Sequence, residues 1–211
     1  MTIRARAKRA GQGRQTENRA AKRRRQQNMI LIIAGVLLAA LIGLVVYVNI
    51  RTTLPVGGET IFSTQGNTHI PFGSQSPVAY NSIPPSSGPH YDNLAAWKVY
   101  QPDDPQRYEF LNHNLEDGGV LLYYQCEDGC PELLQQLEDL VGRYHRAGKH
   151  VAVAPNDPSW VEEASGLTMH QDMEAKIAAV AWQRVLKMDE FDGEALTEFI
   201  DRYEGIDHHQ R

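Results

Sequence analysis

Twenty consecutive residues without a charge, Met29 to Val48 (MILIIAGVLLAALIGLVVYV), constrain this chain more than any other feature. A helix of that length rises about 30 Å, the thickness of a bilayer's hydrocarbon core. A single segment can satisfy its backbone in lipid only as a helix. The run leaves through Val-Tyr-Val-Asn-Ile-Arg, with no small-residue cleavage pattern. It is also longer than the apolar core of a signal peptide, so it reads as an uncleaved anchor spanning about 29–50. Gly35 and Gly43 are too far apart for a GxxxG helix-pairing motif.

Charge assigns the two sides. Residues 1–28 carry ten of the 21 basic residues and one of the 26 acidic ones, with Lys22, Arg23, Arg24 and Arg25 directly before the apolar run. Basic residues are retained in the cytoplasm, so the expected topology is a cytoplasmic tail (1–28) and a domain outside the cytoplasm. The tail's low hydrophobicity predicts no packed structure for it. Setting Arg51 aside, the remaining 160 residues hold ten basic and 25 acidic side chains, a formal net charge of −15. Such a surface repels nucleic acid. The expected partners are membrane lipid around residues 29–50 and a membrane protein complex.

The outer segment is long enough for one domain with its own core. Residues 51–66 read as a stalk, 67–205 as the folded domain and 206–211 as a frayed tail. Residues 71–92 contain five prolines, which fix φ and discourage helix, and read as an ordered loop. The run Gly119–Gln125 predicts a strand. Pro131 starts a helix over 131–147, with Leu133, Leu134, Leu137, Leu140 and Val141 on one face and Gly148 beyond its end. His150–Ala154 is a second strand, giving a βαβ unit. Residues 177–187 read as one strand, with helix the alternative. Asp192 caps a last helix over about 193–204. The fold class is α+β: an N-terminal helix followed by a small sheet domain.

Two constellations carry chemistry. Cys126 and Cys130 lie between a strand and a helix, the second directly before Pro131. A structural disulfide is the simplest reading in an oxidising compartment. A thiol at a helix N-terminus can instead be activated for redox or metal chemistry. The second constellation is His69, His90 and His113, in three separate segments, two of them bounded by glycine and proline. On a helical turn over 109–117, Glu116 and Asp117 share a face with His113. Imidazole is a common ligand for zinc and copper. His145 and His150 read as surface residues and His208–His209 as solvated tail. Met169, His170 and Met173 are a weaker soft-ligand candidate. No G-x-S-x-G, P-loop or dinucleotide glycine pattern is present, so the chain does not read as a hydrolase or nucleotide enzyme.

The strings SIPPSSGPHY, HNLEDGGVLLYY, VAVAP and AWQRVLKMDEFD resemble a bacterial family of membrane-anchored extracytoplasmic domains of unknown function. That family's pattern has HNLEHGG, so Asp117 stands where a second histidine is expected. More locally, the strand, C-x3-C-P and helix resemble the copper-delivery proteins of cytochrome oxidase assembly. That resemblance implies a thioredoxin-like fold and copper held by the cysteines with a distant histidine. The readings to test are therefore copper or zinc binding at His69, His90, His113, Glu116 and Asp117; thiol–disulfide or copper-chaperone chemistry at Cys126 and Cys130; and a non-catalytic interaction domain.

Overall fold

A computed structural model describes residues 3–53, 55–127 and 130–209. The chain divides after residue 54 into two units. The first is a single helix, α1 (Ile3–Thr53). Its stretch Arg23–Asn49 is long and apolar enough to cross a membrane, with a mean hydropathy of 3.1 in its most apolar window. The basic segment, expected to be without packed structure, continues this helix. Its Arg, Lys, Gln and Ala are all strong helix formers.

The second unit is an α+β domain. Its elements are β1 (Thr60–Ile61), β2 (His69–Ile70), β3 (His90–Tyr91), α2 (Tyr108–Glu116), β4 (Val120–Tyr124), α3 (Pro131–Arg146), β5 (Val151–Pro155), β6 (Ile177–Ala181), β7 (Arg184–Met188) and α4 (Gly193–Tyr203). The main sheet has the order β1-β7-β6-β4-β5. β4 and β5 are parallel, as the βαβ reading requires, and the other neighbours are antiparallel. β2 and β3 form a separate parallel pair.

Both faces of the sheet are covered, which explains why β4 and β5 read as unbroken apolar runs. Val120, Leu122 and Tyr124 point to one face, against Leu137 and Val141 of α3 and Leu196, Phe199 and Ile200 of α4. Leu121 and Tyr123 point to the other, against Tyr108, Leu111 and Leu115 of α2. The side-chain carboxylate of Asp192 caps α4 by accepting from the N–H groups of Glu194 and Ala195.

Three sequence expectations need correction. Residues 177–187 are not one strand. The chain reverses at Trp182–Gln183 and returns as β7, and Gln183 takes a φ of 65°. Most of the expected stalk, 51–66, belongs to the domain. Val56 is buried in the core, and β1 pairs with β7. Glu59 is held there by Arg184 at 2.7 Å and by the Tyr203 hydroxyl at 2.8 Å. The expected frayed tail is also placed: the N–H of Gly205 donates to Gly118 O and that of His208 to Glu116 O, each at 2.8 Å.

Because the Glu59 carboxylate is fully buried, losing it leaves the Arg184 charge and the Tyr203 hydroxyl without their acceptor. Glu59→Ala is expected to destabilise the domain by about 2 kcal/mol. Denaturant unfolding of the full chain in detergent checks this; an unchanged midpoint would show that β1 is not anchored by this pair.

Candidate metal centre

Three of the predicted ligands converge because of backbone pairing. β2 and β3 run parallel with His69 opposite His90, so the two imidazoles stand side by side, their ring centroids 5.0 Å apart. α2 brings His113 to the same place, its ring 5.3 Å from His69 and 5.2 Å from His90. Glu116, three residues on, lies on the same helical face. One ligand atom from each of these four residues lies within 4.8 Å of the others.

The end of α2 explains why Gly118 and Gly119 follow it. Gly118 takes a φ of +79°, the left-handed conformation that glycine adopts without steric cost. A Cβ there would stand 2.7 Å from the backbone of Ile206. At Gly119 a Cβ would meet the Trp97 ring at 2.2 Å.

The interior ligands are oriented by neighbours. The His90 Nδ1 lies 2.8 Å from the Gly88 carbonyl, which can only accept, so Nδ1 carries a proton. Its Nε2 then faces Glu116 Oε2 at 2.9 Å. Burial pushes the His90 pKa down, and the Gly88 carbonyl and Glu116 carboxylate do not fully offset this. Burial pushes the Glu116 carboxyl up. The hydrogen bond from Asn67 Nδ2 (2.5 Å) and the charges of His90 and His209 outweigh it, holding the group below the ordinary carboxylate range. His69 reaches the same Glu116 oxygen at 3.5 Å, with its other nitrogen 3.4 Å from Asp92. The His113 Nδ1 is buried and has no hydrogen-bond partner among the described residues.

Asp117 is not in this inner group. It joins His113 and His209 in a neighbouring one. His209 was read from the sequence as solvated tail; instead its Nε2 lies 3.4 Å from Asp117 Oδ1 and 3.8 Å from Glu116 Oε2. His208 stacks on Trp182, whose ring also meets His90 edge-on. Asn67 and His209 are the site residues that sequence reasoning missed. Both are polar residues in irregular segments, and only the fold brings them in.

The remaining candidates lie elsewhere. Cys126 and Cys130 lie between β4 and α3, the second at the helix start, with Cα atoms 5.8 Å apart, a span that a disulfide bridges. Residues 128 and 129 between them lie outside the described residues. Cys126 lines a cleft of about 490 Å³ at the C-terminal ends of β4 and β5, with Tyr124, Asn156 and Asp172. His145 bonds to Val151 O, and His150 stacks on Trp97. Met173 is core. His170 is buried with both nitrogens occupied, by the N–H of Asp157 (2.9 Å) and by Gln106 O (2.8 Å), and is not free to ligate.

A family described as "Protein of unknown function (DUF3105)" matches residues 72–210, well over half of the chain, and the chain belongs to that family. The match includes His90, His113, Glu116, Asp117, His209 and both cysteines, and begins just after His69. No curated protein and no solved structure matches.

His170 carries a pH prediction. Burial lowers its pKa to about 4. The folded state therefore favours the neutral ring, and the stability this contributes is present above the unfolded value near 6.5. It is lost as pH falls from about 6.5 to about 4, by about 3 kcal/mol in total. The difference in unfolding free energy between wild type and His170→Gln should shrink by that amount across the window; a constant difference would refute the assignment.

Proposed function

We propose that this domain binds a divalent transition-metal ion, zinc or copper(II), through His69, His90, His113 and Glu116. One contact carries the reading. With Nδ1 donating to Gly88 O, His90 in its neutral form turns a lone pair toward a buried carboxylate oxygen 2.9 Å away, and in its charged form donates a second hydrogen bond to it. Two acceptors at that distance repel unless a cation lies between them. Ligand atoms bound to one ion at about 2.1 Å lie about 3–4 Å apart, and the contacts of Glu116 with His90 and His69 are already near that spacing. Three imidazoles and a carboxylate, with no thiolate, suit zinc or copper(II) better than copper(I). Oriented imidazoles backed by a carbonyl, as His90 is by Gly88, are the usual support for such an ion.

The basic flank and apolar run of α1 favour a single-pass anchor with lipid around residues 29–50 and the domain outside the cytoplasm, where it would serve a membrane complex. A proton shared between His90 and Glu116 is the competing account of their contact. The two differ in metal content. The full chain in detergent, loaded with zinc or copper and dialysed, should retain at least one equivalent. His90→Ala/His113→Ala should bind at least 100-fold more weakly, and Glu116→Gln about 10–100-fold. Equal, negligible metal in wild type and double variant would leave only the shared proton.

A thiol–disulfide reading has one observation in its favour: Cys126 borders a cleft beyond the carboxyl ends of two parallel strands, a place where α/β sheets bind ligands. Cys130 stands at the start of α3, where the helix dipole stabilises a thiolate. Redox titration decides it. A potential above about −270 mV supports exchange, whereas one below about −300 mV leaves a structural bridge.

A further inference from the structure

The metal reading leaves Asp117 and the C-terminal histidines without a role. We propose that His113, Asp117 and His209 form a second, outer position for a divalent cation of the same class, adjoining the first across Glu116. This rests on the inner group being a metal site.

Four observations support the outer position. First, its three ligand atoms lie within 4.8 Å of one another, on the side of His113 where Asp117 Oδ2 is 3.9 Å from Nε2. Second, His209 is oriented as ligating histidines are. Its Nδ1 is paired with the Asp207 carboxylate at 2.7 Å, and its own backbone N–H donates to that same oxygen. This carboxylate–histidine pairing fixes the ring and presents Nε2 to Asp117 and Glu116.

Third, the segment that carries His209 is docked. Gly205 bonds to Gly118, His208 bonds to Glu116 O, and the His208 ring stacks on Trp182. The docking needs Gly118, since a Cβ there would collide with Ile206. Fourth, His113 is nine-tenths buried between the two groups, and its Nδ1 has no hydrogen-bond partner among the described residues.

Charge and bridging are consistent with two ions. Glu116 and Asp117 supply two adjacent carboxylates, one to each group, so each position has one carboxylate among its imidazoles. One neutral ring nitrogen holds one ion, so with both ions bound His113 serves the outer one, His69, His90 and Glu116 hold the inner one, and the shared ligand is Glu116. Its Oε2 lies 2.9 Å from His90 Nε2 on the inner side and 3.8 Å from His209 Nε2 on the outer side. Paired ions in such centres stand about 3.5–4 Å apart. His90 and Glu116 are buried, whereas His69 is 40% and His209 42% exposed, so each position is buried on its inner side and borders solvent at one histidine.

Zinc stoichiometry tests the proposal. The full chain in detergent should bind two equivalents by equilibrium dialysis and elemental analysis. Asp117→Ala/His209→Ala should bind one, with inner affinity changed less than tenfold. Gly118→Ala, which removes no ligand side chain, should also fall to one by displacing the C-terminal segment. One equivalent in both wild type and the double variant would overturn the outer position and leave the inner one standing. Two equivalents in the double variant would also overturn it, placing the second ion elsewhere. No metal in the wild type with either zinc or copper(II) would instead overturn the inner reading.

Discussion

A carboxylate 1% exposed to solvent organises this domain. Glu116 sits at the last turn of α2, and its charge must be compensated where water does not reach. Asn67, His90, His69 and His209 do this, and they come from the loop before β2, from β2 and β3, and from the C-terminal segment. Each of these segments is short, and none could hold its shape alone. Their mutual pairing around one charged group gives the irregular half of the domain a single arrangement.

The regular half makes this affordable. The sheet is packed on both faces, and α2 is pinned to one of them by Tyr108, Leu111 and Leu115. Its opposite face is then left to point His113 and Glu116 at β3. The rigid element is thus the helix, and the loops are fitted to it. Trp182, at the turn between β6 and β7, extends the sheet's apolar surface to the edge of the imidazole group. The polar centre therefore sits on a hydrophobic floor, where electrostatic contacts count for more than at an open surface.

Elements with long periodic patterns were legible in the sequence. α3, α4, β4 and β5 fall within a residue or two of their expected bounds, because burial on two faces or on one stripe leaves a pattern in the chain. The reversal at Trp182–Gln183 was not legible. It has none of the usual Gly or Asn turn chemistry. The positive φ of Gln183 is held instead by tertiary bonds, from its N–H to Ser86 O and from the Phe62 N–H to its carbonyl. β1 is two residues long and shows itself only through its partner. In the site, His69 and His90 stood out by their rigid flanks, and His113 and Glu116 by helical spacing. His209 and Asn67 did not, since nothing local separates a docked polar residue from a solvated one.

The clamp between Glu59, Arg184 and Tyr203 also has a mechanical side. Glu59 is four residues from the first residue of the domain, and its partners belong to β7 and α4, so the domain's beginning is fastened to its far end. Tension entering at Pro55 would reach Val56, Glu59 and the two residues of β1 before any other part of the sheet. A strand so short can peel one bond at a time, but the buried ion pair behind it resists as a unit. A pull arriving at residue 55 would thus meet the Glu59 clamp before it reached His69, which lies further along the chain.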